Sequence, residues 1–126
     1  MEWNVKPTEK VNNILFGANR ESVRAELGMP IKEFKKSKFS KNTTDDYGEF
    51  HMFYDANNNL EALEVFGGLV KLEDRNLFPG TIEEIMQLDE SFEREEDGCI
   101  SVNLQIGVYA PTGTVESVLI GGKGYY

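Results

Sequence analysis

A chain of 126 residues can bury one core but not two, and its 40% hydrophobic content is that of a folded domain rather than a disordered one. Its formal charge of −9 opposes nonspecific contact with nucleic acid or anionic lipid; it favours a cationic partner or serves solubility alone. No apolar run approaches the roughly 20 residues of a bilayer span, the opening Met1 to Lys6 does not read as a secretory signal, and Cys99, the only cysteine, cannot form an internal disulfide. A cytoplasmic, single-domain protein spanning 1–126 is therefore expected.

In chain order, Val11 to Phe16 reads as a short strand leading to Gly17. Asn19 is placed to cap a helix, with Val23 and Leu27 on one face, Arg20, Glu21, Arg24 and Glu26 outward, and Gly28 and Pro30 as the stop. Residues 32–46 are polar and lysine-rich and read as a loop or ragged edge strand. Tyr47 to Tyr54 and Leu60 to Phe66 form a hairpin around Asp55 to Asn59. Leu69 to Leu72 is another strand, Pro79-Gly80 a turn, and Thr81-x-x-Glu84 a capping box that starts a second helix. Asp89 to Asp97 reads as an acidic loop. Ile100 to Tyr109 alternates apolar and polar residues and reads as one long strand, turned back at Ala110 to Gly113 into Thr114 to Ile120.

A duplication underlies this order. Leu15-Phe16 and Asn19-x-Glu21-x-Val23 return as Leu77-Phe78 and Thr81-x-Glu83-x-Ile85; Tyr54 and Leu60 to Val65 return as Tyr109 and Val115 to Ile120. The expected fold is therefore α+β, a single antiparallel sheet of about six strands with two helices packed on one face, built from two strand-helix-strand-strand halves, about 10–66 and 69–122.

Reactive chemistry is poorly signalled. His51, the only histidine, lies between Phe50 and Met52 with no nucleophile or carboxylate at local spacing, and reads as a sheet residue. One His and one Cys do not make a zinc set. Cys99, among acidic neighbours, reads as an unreactive thiol. Asp55-x-Asn57-x-Asn59 resembles the start of a calcium loop but lacks the glycine and terminal glutamate, so a turn is expected. Gly121-Gly122-Lys123-Gly124 lacks P-loop spacing. No metal or cofactor is expected. Lys32, Lys35, Lys36, Lys38 and Lys41, interleaved with Phe34 and Phe39, have the mixture that grips a nucleic-acid strand, but the acidity of the whole molecule favours a solvated loop.

Charge is uneven. Residues 1–41 carry nine basic and five acidic side chains, and residues 42–126 carry four and seventeen. The acidic run and the terminal tyrosines, Asp89, Glu90, Glu93, Glu95, Glu96, Asp97, Tyr125 and Tyr126, are the expected partner-binding residues, since clustered carboxylates beside aromatics can steer and block a basic protein surface.

Ile14 to Gly17 with Arg20-Glu21-x-Val23-Arg24-x-x-Leu27-Gly28-x-Pro30, and Tyr54-Asp55-x-x-Asn58-x-Leu60-Glu61-Ala62, resemble small acidic bacterial proteins that serve as immunity partners of polymorphic or contact-dependent growth-inhibition toxins. The resemblance implies a non-catalytic protein that occludes the active site of one cognate toxin domain, often a nuclease. Gly17, Val23, Leu27, Gly28 and Pro30 also match a helix signature of the small outer-membrane assembly lipoproteins and the β-lactamase-inhibitor fold, which implies duplicated helix-plus-hairpin units. The expected function is thus an immunity or inhibitor protein without enzymatic activity, binding a basic toxin domain and neither nucleic acid nor membrane. The alternatives are a small-ligand protein or enzyme with a pocket near His51, Tyr47 and Tyr54, and a subunit that assembles through sheet edges.

Overall fold

The computed structural model describes all residues, 1–126. In chain order the elements are β1 (Glu2–Lys6), β2 (Lys10–Val11), β3 (Ile14–Leu15), α1 (Arg20–Leu27), β4 (Lys32–Phe34), β5 (Thr44–Asp46), β6 (Phe50–Tyr54), β7 (Leu60–Val65), β8 (Leu69–Leu72), β9 (Arg75–Phe78), α2 (Ile82–Met86), β10 (Glu93–Glu95), β11 (Gly98–Ser101), β12 (Ile106–Tyr109) and β13 (Ser117–Gly121). The expected α+β fold, one sheet of about six strands under two helices, is overturned. The protein is mostly β, with a five-stranded sheet in the order β3-β2-β1-β8-β9 and an eight-stranded sheet in the order β10-β11-β12-β13-β7-β6-β5-β4.

Two causes account for most of the extra strands, all but β1 and β9. Apolar runs that read as single strands contain chain reversals: Val11 to Phe16 is the β2–β3 hairpin, turned by Asn12 at φ 54°, and Ile100 to Tyr109 is the β11–β12 hairpin, turned by residues 102–105 with Gln105 at φ 58°. Polar runs that read as loops contain edge strands, β4 and β5 in the lysine-rich segment and β10 in the acidic one. An edge strand needs no apolar face to pair through its backbone, so its side-chain pattern is silent.

The helices, of eight and five residues, are too short to form a layer. The layer facing the eight-stranded sheet is the other sheet: Trp3 of β1 meets Phe50 of β6 edge to face, with ring centroids 4.8 Å apart, and Val5, Val70 and Leu77 join Met52, Leu63, Val65, Ile106, Val118 and Ile120 in one core. Neither helix is long and apolar enough to cross a membrane.

Local signals set both helix starts. The Asn19 side chain accepts from Glu21 N at 2.8 Å, and Thr81 and Glu84 form the capping box. Gly28 ends α1 at φ 85°, a conformation that disfavours any Cβ, with its N–H on Arg24 O. Each cap also bridges to a hairpin tip: Asn19 pairs with Asn59 while Arg20 N donates to Asn58 O, and Thr81 pairs with Thr114 while Ile82 N donates to Gly113 O. The same junction thus occurs in each half.

The eight-stranded sheet consists of two four-stranded meanders, β4 to β7 and β10 to β13, joined along β7 and β13. At that seam Leu63 faces Ile120, Glu64 faces Leu119 and Val65 faces Val118, so equivalent residues pair reciprocally about Glu64 and Leu119. Directly paired residues share a face of the sheet. The core face therefore carries the row Asp45, Met52, Leu63, Ile120, Ile106 and Ser101, every member fully buried. The opposite, outer face carries the row Lys32, Asp46, His51, Glu64, Leu119, Gly107, Ile100 and Glu93.

Candidate functional site

The outer face differs between its two halves. Around His51 it is filled by aromatic side chains: Phe34, Phe53 and Phe66 surround the imidazole with ring centroids 5.1, 6.4 and 4.8 Å away, and Asp46 lies 3.4 Å from His51 Nε2. Lys36 Nζ caps the Phe53 ring at 3.8 Å. On the other side of the seam the place of His51 is taken by Gly107, and the surface sinks into a groove of about 240 Å³. Glu64 of β7, Glu95 of β10 and Asp97 supply its carboxylates, while Ile100, Leu119, Tyr109 and Tyr126 supply apolar and aromatic surface.

The groove is held from below and behind. Ser117 Oγ donates to Glu64 Oε2 at 2.9 Å, fixing that carboxylate across the seam. Tyr126 N donates to Gln105 Oε1 at 2.7 Å, and Gln105 Nε2 holds Val102 O at 2.7 Å, so the β11–β12 turn anchors the end of the chain. A Cβ at Gly107 would collide with the Tyr126 hydroxyl, and one at Gly121 would meet the Tyr125 ring at 2.9 Å, so both tyrosines lie where the sheet has no side chain. Burial, then the neighbouring Tyr125, Glu64 and Glu95, raise the Tyr126 phenol above its usual range, which keeps it a neutral hydrogen-bond donor. Three carboxylates, two phenols and an apolar floor suit a Lys or Arg side chain, whose stem packs on Leu119 and Ile100 while its cation meets acid and ring.

Of the residues expected to bind a partner, Glu95, Asp97 and Tyr126 converge in this groove, and Glu93 follows on the same face beside Ile100. The others lie apart. Asp89 accepts from Ser91 N at 2.9 Å in the turn before β10, and its pKa is lowered by the Ser91 side chain and then by this backbone bond, while Glu90 and Glu96 are exposed in turns. Tyr125 lines a neighbouring cleft with Phe16, Glu61 and Lys123. Glu64, Tyr109 and Leu119 are groove residues that sequence reading did not single out; the signal was the alternation along β7 and β13, which puts Glu64 on the face opposite Leu63 and Val65.

His51, Tyr47 and Tyr54 do not converge on one pocket. Tyr47 stacks on Phe50, with centroids 4.8 Å apart, and donates to Gly28 O at 2.9 Å, while Tyr54 is buried under the Arg20 guanidinium, 4.4 Å from its ring. Asp55 Oδ1 accepts from Asn57 N and Asn59 N at 2.9 and 3.0 Å, a turn held by its own aspartate. Burial pushes the Cys99 thiol up to about 11, a larger effect than that of its charged neighbours.

A second charged cluster escaped the sequence reading. Arg20, expected to point outward, is buried, as is Asp45. Asp45 is bridged by Arg20, and Arg24 binds it through Nε at 2.9 Å and a terminal nitrogen at 2.7 Å. Arg20 also donates to Thr43 at 3.0 Å, Asn58 at 3.1 Å and Asn42 at 3.2 Å, and both arginines reach Glu33 at 3.3 and 3.4 Å. Burial alone would raise the Asp45 pKa, but the bonds from Arg24 and Arg20 outweigh it and hold the carboxylate below its usual range. With its partners so fully engaged, the cluster is a brace from α1 to β4, β5 and the β6–β7 turn. Its signal in the sequence was the duplication, which sets Arg20 on Ile82, a core residue. No protein-family model, curated protein or solved structure matches the chain.

Proposed function

We propose that this protein is a non-catalytic inhibitor, of the kind that gives immunity to a toxin, and that it neutralises a basic protein domain by docking on it with the acidic groove of the second meander. The single observation that carries this reading is the meeting of Glu64, Glu95 and Asp97 with Tyr109 and Tyr126 around an apolar floor on an open sheet face. Such a surface attracts a cationic partner at long range and holds aromatic and aliphatic contacts at short range. The charge of residues 42–126, seventeen acidic against four basic side chains, adds to the attraction.

The test is to mix the chain with candidate toxin domains encoded next to it and to follow both complex formation and protection of cells. Reversing Glu95 and Asp97 to Lys is expected to slow association roughly tenfold or more at low salt, with the difference shrinking at high salt. Absence of a complex together with absence of protection would remove the proposal.

A further inference from the structure

The eight-stranded sheet ends in two open edges, β4 and β10. Every joint between neighbouring strands in it is antiparallel, so its first and last strands run in opposite directions. A second copy that continued the sheet would therefore lay its β4 antiparallel along β10 of the first. We propose that the chain self-associates head to tail in this way, the acidic edge β10 of one copy pairing with the basic edge β4 of the next.

The charges select this arrangement. On β10, Glu95 faces outward with Gly98, and Arg94 lies on the core face with Cys99. On β4, Lys32 faces outward with Asp46, and Glu33 lies on the core face with Asp45. One register places Glu33 of the second copy opposite Arg94, and the same register places Lys32 opposite Glu95, so both pairs are of opposite sign and on matching faces. Sliding two residues one way sets Glu33 against Glu96 and Lys35 against Arg94, two repulsions that offset the attraction of Lys36 for Glu93 and of Lys32 for Asp97; sliding the other way sets Arg94 against Ile31 and keeps only Lys32 with Glu93. Like edges also reject one another, since β10 on β10 opposes glutamates and β4 on β4 opposes Glu33 with itself. All five residues, Lys32, Glu33, Glu93, Arg94 and Glu95, are exposed; Glu33 touches Arg20 and Arg24 yet leaves 49% of its side chain open.

Because the two edges are different surfaces, the contact is heterologous and builds short open chains or a ring rather than a symmetric dimer. Edges three residues long bury far less than the roughly 1,200–2,000 Å² of a stable interface. The association is accordingly weak, and confined to high protein concentration and low salt. The inference does not require the proposed inhibitor role, but it shares Glu95 with the groove, so a docked partner and a second copy would compete for that edge.

Sedimentation velocity across a concentration series, at about 0.01 M and about 1 M salt, where the Debye length is about 30 Å and about 3 Å, tests it. The wild-type chain is expected to sediment faster with concentration at low salt and as a monomer at high salt. Lys32→Glu alone and Glu95→Lys alone are each expected to remain monomeric. An equimolar mixture of the two is expected to recover the wild-type association, because the two native edges pair and the two reversed edges are again of opposite sign. Circular dichroism of both variants checks that the fold is kept. A wild-type chain that stays monomeric at low salt, association insensitive to either substitution, or a mixture that stays monomeric would overturn the proposal; the first of these outcomes would mean that the edge charges serve to prevent pairing.

Discussion

Counted outward from the seam between β7 and β13, Asp45 in the first meander holds the place that Cys99 holds in the second, and Arg20, the first residue after one helix cap, holds the place of Ile82, the first after the other. All four are buried. One half therefore secures its helix to its sheet with an ionic brace, and the other secures a similar junction with apolar packing. The frame itself therefore does not require ions in its interior. Desolvation of a buried pair offsets much of its attraction, while removal of one partner leaves an uncompensated charge. The two junctions should thus tolerate damage very differently.

The largest expected effect is that of Asp45→Ala, which strands Arg20 and Arg24. It should cost about 3–5 kcal/mol of unfolding free energy in urea titrations, against about 1 kcal/mol for Cys99→Ala at the matching place. Equal losses would erase the distinction between the halves. Imitating the second half sharpens the test: Arg20→Met with Asp45→Leu should be less destabilising than Asp45→Ala, which a double-mutant cycle with the single variants measures as a coupling.

The brace also sets the acid limb of stability. The folded pKa of Asp45 lies below its ordinary 3.8, and that of Glu33 below 4.5, the latter chiefly through the bond from Thr43. A depressed carboxylate stabilises the fold fully above its unfolded pKa and loses that contribution as pH falls through the folded value. Unfolding free energy should therefore be flat on this account above pH about 5 and fall below pH about 4. Asp45→Asn should flatten that fall, and an unchanged acid limb would contradict the assignment.

On the outer face the comparison is between an aromatic cluster and a glycine floor. Gly107→Ala should displace Tyr126 from its seat, at a cost of about 1 kcal/mol or less because the far end of a side chain yields more readily than backbone. The Tyr126 ring resonances should shift while those of His51 stay in place; a shift confined to His51 would contradict this packing. The smallest effect belongs to Tyr54→Phe. The Tyr54 hydroxyl is buried with no hydrogen-bond partner, so its removal should cost no more than about 0.5 kcal/mol and should otherwise stabilise, since an unmade bond carries a desolvation penalty. A loss well above that, by thermal or urea unfolding, would mean that the hydroxyl is satisfied.

Signals that act within a few residues were legible in the sequence. Asn19, Gly28, the Thr81 and Glu84 box and the Asp55 turn all stand where their side-chain chemistry places them. What failed depended on partners distant in sequence. Ile100 to Tyr109 keeps its alternation through a chain reversal, but the faces exchange: Cys99 and Ser101 enter the core from odd positions, and Ile106 and Val108 from even ones. The reversal rests on Ser101 Oγ accepting from Leu104 N at 3.0 Å and on Gln105 at positive φ, with no glycine to announce it. The second sheet was hidden because β1 finds its parallel partner β8 more than sixty residues away. Of the site, the charge of Glu95 and Asp97 was legible, but the convergence of Glu64, Tyr109 and Leu119 upon them required the seam.

Docking of a basic protein domain on the acidic groove of the second meander, as proposed, is tested most directly by amide hydrogen exchange of the chain with and without a candidate toxin domain encoded next to it. Added protection is expected in β10 to β13 and residues 125–126, weakened by salt and by Glu95→Lys with Asp97→Lys. Protection confined to the His51 face of the first meander, or none at all, would contradict it.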